Sequence, residues 1–251
     1  MSDWSGKTAV VTGGSKGFGR GIVEALAAQG MRVVAIARGE AELERLRREV
    51  SGEVETVAGD ATDPVLAARV IAGSSPDVLV LNAGARGITR PTRFHTWETF
   101  ALQLEKDYRS VFYWVREALL LPLAKGSVIV IGSSGAALRP VAVNASYAAA
   151  KAAIWAFARG VAGEAQALGI RVHCLLPVLS AATDLGREAL GDFSRWLGMP
   201  EDAIAEQKGM KPFVTPAVMG EAVVSLLTDP AREKDVGFRV TGRGIEPVPT
   251  A

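Results

Sequence analysis

Seven short apolar, strand-like runs alternate along this chain with six helical patterns, and no other feature narrows the fold as much. The runs fall near 8–12, 32–37, 54–58, 77–81, 127–131, 170–175 and 237–241, and the helical patterns near 17–29, 40–50, 64–72, 97–121, 146–168 and 216–228. A strand followed by a helix and another strand builds a parallel sheet with helices on both faces. The expected architecture is a doubly wound α/β domain with about seven parallel strands. A chain of 251 residues suffices to bury one such core, and no repeat, low-complexity tract or linker divides it. One domain is therefore predicted over 1–251, interrupted by a long segment at 178–215.

The first run, Lys7 to Val11, breaks at Thr12 into Thr-Gly-Gly-Ser-Lys-Gly-Phe-Gly, and a helical pattern follows with Ile22, Val23, Leu26 and Ala27 on one side. Strand, glycine-rich turn and helix is the order that a dinucleotide pyrophosphate needs. Glycines let backbone approach the phosphates, and a helix N-terminus offers unpaired N–H groups with partial positive charge. The spacing here is Gly13-x-x-x-Gly17-x-Gly19, without the Gly-Lys-Ser/Thr ending of a triphosphate loop, which argues against ATP chemistry.

A second constellation lies past the midpoint. Tyr147 and Lys151 are four apart in a helical pattern and share a face, and Ser134 precedes the tyrosine by thirteen residues. An ammonium beside a phenol favours the phenolate, so such a tyrosine can exchange a proton with an oxygen passing between carbonyl and alcohol. A nearby serine hydroxyl would hold that oxygen.

Taken together, Thr12 to Gly19, Asp60, Asn82-Ala83-Gly84, Ser134, Tyr147, Lys151 and Pro177 resemble the short-chain dehydrogenase/reductase family, in order and over nearly the whole chain. The resemblance implies a Rossmann-type fold, with a cofactor half over roughly 1–125 and a catalytic half over roughly 126–251 that includes a substrate lid at 178–215. It implies a cofactor site of Gly13, Ser15, Lys16, Gly17, Phe18, Gly19, Arg38, Asp60, Ala61, Asn82, Ala83, Gly84, Tyr147, Lys151 and Pro177. Tyr147 is then the general acid or base, Lys151 its partner and ribose ligand, and Ser134 the holder of the substrate oxygen, with Ser133 as second choice. Asp107 falls where the family has an asparagine whose carbonyl supports a proton relay. Val178 replaces a customary glycine after Pro177, and Thr241-Gly242-Arg243-Gly244-Ile245-Glu246-Pro247 stands where the common ending has Asp-Gly-Gly; these two departures mark a divergent branch.

Charge separates the two nicotinamide cofactors. The second strand ends Ala37-Arg38, where a carboxylate would bind the ribose hydroxyls of NAD, and Lys16 lies in the glycine loop. In the family this combination holds the 2′-phosphate, so NADP(H) is expected over NAD(H).

A net charge of +1 gives no case for nucleic acid or an anionic membrane, and no apolar stretch reaches the roughly 20 residues of a spanning helix. The N-terminus lacks a basic-then-apolar leader, and a cytoplasmic protein is expected. Cys174, the single cysteine, lies in an apolar strand and is read as a core thiol. His95 and His173 lack metal-site spacing, so no metal is expected. Phe193, Trp196 and their apolar neighbours in 178–215 suggest a bulky apolar small-molecule substrate, with Ala137, Leu138, Val141, Val143 and Asn144 as the opposite wall. Arg86, Arg90, Arg93 and His95 read as solvated loop charges, or as a lure for an anion. A homodimer or homotetramer is expected by analogy, through the helices near 97–121 and 146–168. Non-redox or imine chemistry, or a non-catalytic NADP(H) sensor, remain alternatives.

Overall fold

A computed structural model of the protein describes residues 4–249. Strands β1 (Thr8–Thr12), β2 (Arg32–Ala37), β3 (Val54–Ala58), β4 (Val78–Leu81), β5 (Val128–Gly132), β6 (Arg171–Pro177), β7 (Gly237–Thr241) and β8 (Gly244–Pro247) form one sheet in the order β3-β2-β1-β4-β5-β6-β7-β8. The first seven are mutually parallel where they pair, and their positions match the sequence expectation to within two residues. The order reverses between β1 and β4, which opens a crevice beyond the strand ends.

The eighth strand corrects the expected count of seven. It returns antiparallel to β7, with Thr241 opposite Gly244. Gly244 takes φ +117°, which a side chain resists, so the chain reverses here. Four residues containing Glu246 and Pro247 carry no apolar alternation, and periodicity alone cannot detect them.

Nine α-helices cover the sheet within the described residues: α1 (Gly17–Ala28), α2 (Glu40–Glu49), α3 (Pro64–Ser74), α4 (Trp97–Gln103), α5 (Arg109–Leu120), α6 (Ala145–Ala167), α7 (Asp184–Leu197), α8 (Glu201–Gln207) and α9 (Pro216–Thr228). Alternate residues of each strand feed opposite cores. Val33 and Ala35 join Leu26, Val223 and Phe238 under α1 and α9, whereas Val34 and Ile36 join Trp114, Ile129 and Ile154 under α3, α5 and α6. Helices α1 and α9 touch backbone to backbone, because a Cβ on Gly21 would lie 2.0 Å from the Pro216 carbonyl oxygen.

Two departures bear on function. The single helix expected at 97–121 is interrupted by a π-helical turn at Leu104–Tyr108. No proline or glycine causes it; the wider turn carries Gln103 and Asp107 inward, where both bond the backbone of Ala85. The segment 178–215 holds α7 and α8, which close on a small core of their own from Val143, Leu190, Phe193, Ile204, Ala205 and Met210.

Candidate active site

The glycine loop joins β1 to α1 and is shaped by close approach. Gly13 has φ +68°, and a Cβ on Gly19 would lie 2.0 Å from the Gly13 carbonyl oxygen, so neither position tolerates a side chain. Asn82 fixes the loop from the end of β4 by donating its amide to the carbonyls of Thr12 (3.4 Å) and Gly13 (3.3 Å). The Ala83 N–H donates to the Thr12 hydroxyl at 3.1 Å. Helix α1 begins without a side-chain cap, since Lys16 precedes it and cannot accept. Its first turn therefore takes no acceptor from its own cap residue. These features fit a dinucleotide pyrophosphate, with Ser15, Gly17 and Phe18 at the same turn.

At the adenine end, Arg38 is exposed at the tip of β2, and Lys16 pairs with Glu42 at 2.8 Å. Asp60 accepts from the Thr62 amide and hydroxyl, both at 2.9 Å. The amide bond chiefly holds its carboxyl below the ordinary range, against partial burial and with help from the charges of Arg38 and Lys106. The Ala61 carbonyl accepts from the Trp114 indole at 2.9 Å, which pins this loop to α5.

Ser134, Tyr147 and Pro177 all line one cavity of about 740 Å³. Ser134 follows β5, and its hydroxyl accepts from the Ala136 amide at 3.2 Å. The Ser133 hydroxyl turns the other way and donates to the Lys151 carbonyl at 2.8 Å, tying β5 to α6. Tyr147 and Lys151 are one turn apart on α6, with the ammonium 5.6 Å from the phenol ring centre. Lys151 is 6% exposed, and Asp107 is fully buried. Asp107 Oδ2 meets Lys151 Nζ at 3.0 Å as an ion pair and has no other partner, while Oδ1 accepts from the Ala85 amide at 2.9 Å. Burial opposes the lysine's charge, but Asp107 and Tyr147 together outweigh it and raise Lys151 above the ordinary lysine range. Gly84 packs on this pair, 3.5 Å from the carboxylate as measured from a built Cβ.

The rest of the cavity is largely apolar, from Ile88, Leu138, Val141, Leu179, Leu185, Phe193 and Met210. Asn144 also lines it, but Ala137 and Val143 turn into the two neighbouring cores. Trp196 stays outside, half exposed and stacked on Phe94 with ring centres 6.0 Å apart. Arg86 is more than a solvated charge: it reaches α7 and bonds Glu188 at 2.8 Å and Asp192 at 2.7 Å. Arg90 donates to the Phe94 carbonyl, and His95 contacts the Thr99 hydroxyl at 3.2 Å.

Sequence reasoning missed three contributors to the site. Gln103 donates to the Ala85 carbonyl at 3.0 Å, completing with Asp107 a two-sided grip on one peptide unit. Gly87 allows its loop to lie against Tyr147, since a Cβ there would stand 3.3 Å from the tyrosine Cβ. Thr183 caps α7 and closes on Gly17. The contacts of Gln103 with Ala85, Gly87 with Tyr147 and Thr183 with Gly17 join segments distant in sequence, and only the Thr183 cap has a local pattern. Among the described residues, no group of three or more histidine, cysteine, aspartate or glutamate side chains is placed to hold a metal.

A family model described as short chain dehydrogenase matches residues 7–191. The chain is 34% identical over 190 residues to L-xylulose reductase of Bos taurus, covering 75% of this chain and 77% of that protein. It is 29% identical over 232 residues to carbonyl reductase [NADPH] 2 of Sus scrofa, covering 90% and 91%. The crystal structure of levodione reductase superposes with a TM-score of 0.85 at 21% identity, over 95% of this chain and 97% of that one.

Proposed function

Because the chain belongs to the short-chain dehydrogenase family of nicotinamide-dependent oxidoreductases, we propose that it interconverts a carbonyl and an alcohol on an apolar small molecule with NADP(H). The observation that carries this reading is the meeting of Tyr147 and Ser134 in one apolar cavity, with Lys151 buried behind the phenol.

When bound, the cofactor supplies or accepts the hydride. The glycine loop and the open end of α1 would hold its pyrophosphate, and Asp60 and Asn82 would border its adenosine. Arg38 and Lys16 support the choice of NADP(H), because a 2′-phosphate at this end would meet two cations, with Glu42 on Lys16 and Asp60 within reach of the Arg38 charge as the carboxylates beside them. A carbonyl reductase named for NADPH among the relatives agrees with this preference.

Ser134 holds the substrate oxygen, and Tyr147 gives its phenolic proton to that oxygen as the alcohol forms. In the reverse direction the phenolate takes the proton back. Lys151 lies one turn along the same helix face and sets the electrostatic surroundings of the tyrosine. The apolar walls exclude water and select an apolar substrate.

We place the protein in the cytoplasm, in keeping with a lone, buried thiol, and assign it a homo-oligomer built on α5 and α6. The test is NADPH oxidation, followed by ultraviolet absorbance, against a panel of ketones, aldehydes and imines, with NADH alongside. Turnover favouring NADPH that falls by about a thousandfold in Tyr147→Phe would support the reading. Tight NADPH binding without turnover on any compound would sink it in favour of a cofactor sensor.

A further inference from the structure

We propose that Asp107 is a positioning residue that draws the Lys151 charge away from Tyr147 and so keeps the phenol in its protonated, reducing form. The proposal deepens the oxidoreductase reading and rests on it for its catalytic meaning.

The geometry is specific. Lys151 Nζ lies 3.0 Å from Asp107 Oδ2 but 5.6 Å from the centre of the Tyr147 ring. Both partners are almost wholly removed from water, so solvent screens the pair little. A buried ammonium with no counter-ion acts on a phenol as a full positive charge. Here a carboxylate 3.0 Å from the ammonium neutralises it, and the phenol faces an ion pair instead of a lone cation. The other groups around Lys151 add no competing charge. From β6 comes Cys174, whose thiol burial pushes up to about 12, so it stays neutral. From β5 comes the Ser133 hydroxyl, which serves the lysine carbonyl, and from the loop after β4 comes only the backbone of Gly84. Among the described residues, Asp107 and Tyr147 are the leading groups that favour the lysine's charge, and Cys174 follows them.

Asp107 is also held rigidly. Its Oδ1 accepts from the Ala85 amide, Gln103 grips the carbonyl of the same residue, and the π-helical turn presents both side chains together. The carboxylate therefore cannot swing away from Lys151 without releasing the loop that carries Arg86, Gly87, Ile88 and Thr89 along the cavity wall.

The consequence is directional. Retaining the phenolic proton to higher pH extends the range over which reduction runs, and delays oxidation, which needs the phenolate. The chain would be a reductase at neutral pH by virtue of a residue outside the reacting atoms.

The test reads Tyr147 directly, without turnover. The chain has three tyrosines, so 13Cζ-tyrosine labelling gives three carbon resonances, and the one lost in Tyr147→Phe assigns the site. Its pH titration is followed in the wild-type chain, in Asp107→Asn, and in Gln103→Leu, which breaks the loop grip while leaving every charge in place. Asp107→Asn keeps an oxygen for the Ala85 amide but removes the counter-charge, and its Tyr147 midpoint should fall by about one pH unit or more. Gln103→Leu should leave the midpoint where it is. Asp107→Glu, which restores the carboxylate, should move it back toward wild type. If Asp107→Asn does not fold, Asp107→Ser takes its place. A midpoint in the neutral variant within a few tenths of a unit of wild type overturns the proposal, as does an equal shift in Gln103→Leu. Where a substrate has been found, the alkaline limb of the reduction profile should move with the resonance. Absence of turnover in the wild-type chain bears on the oxidoreductase reading alone, because the titration stands without it.

Discussion

His173 shows how one buried side chain can govern acid stability. It is fully buried on β6, its Nδ1 lies 2.9 Å from the Asp235 carbonyl, and its Nε2 has no partner. Burial, the main cause, lowers its proton affinity below that of an ordinary histidine, and the nearby Arg171 charge adds to this. The sign follows. As pH drops through about 6.5 the unfolded chain takes up a proton that the folded chain refuses, so folding stability falls with falling pH. His173→Asn keeps a donor for the carbonyl and removes the titration. Its melting temperature should decline less steeply than wild type between about pH 7 and pH 5.5, as measured by calorimetry. Equal slopes would remove His173 from the account. Other residue-scale features differ in how readable they are. Tyr147 and Lys151 can be found from sequence because a helix fixes what lies four residues apart. The pairing of Asp107 with Lys151, the turning of Ser133 away from the cavity, and the Asp235 carbonyl over His173 depend on contacts across the fold, and spacing does not encode those.

Helix α7 borders the cavity, and Arg86 fastens it to the loop after β4. Asp192, buried at the inner face of α7, accepts from Arg86 and also from Arg195 one turn on, while Glu188 takes the other arm of the same guanidinium. Arg86→Ala should leave the fold intact, since Asp192 retains Arg195. It should loosen the approach of α7 to the loop after β4, raising KM for the substrate about three- to tenfold with a smaller change in kcat. A variant whose KM and kcat both match wild type would show that the fastener has no part in substrate capture. Helices α1, α2, α3, α6 and α9 are legible because each is a run of helix formers set between strand-like runs, and α3 and α9 also open on a capping Asp63 or Thr215 followed by proline. The π-helical turn is not, because the residues at 104–108 would continue an ordinary helix if Ala85 were not there to be gripped. Helices α7 and α8 are half legible: their apolar residues are visible, but sequence does not tell that Leu190 and Ile204 face a private core, Leu185 the cavity and Phe193 both.

At the scale of the whole molecule, the sheet order follows from right-handed crossovers in a run of strand–helix units, and only the late hairpin to β8 escapes that logic. As at Phe94, Trp97 and Trp196, the single chain leaves apolar side chains uncovered on the outer face of α5 and α6. Phe112, Leu120 and Leu121 are 39%, 61% and 57% exposed there, beside a groove lined by Phe112, Val115, Leu119, Leu120, Phe157 and Val161. An apolar face on two long neighbouring helices costs free energy in water that a second copy would recover by laying the same face against it. In such a two-fold contact every side chain counts twice. Burying one leucine contributes about 1.5 kcal/mol or more, so the symmetric pair contributes about 3 kcal/mol. Leu120→Glu forfeits that and sets two carboxylates into the contact, which should weaken the pairing by at least about a hundredfold. Because Leu120 is mostly exposed in the single chain, its replacement should not disturb the fold. Sedimentation velocity at micromolar concentration would then find the variant shifted to monomer with an unchanged circular dichroism spectrum. A wild-type chain that sediments as a monomer, or a variant that still pairs, would move the contact to another face.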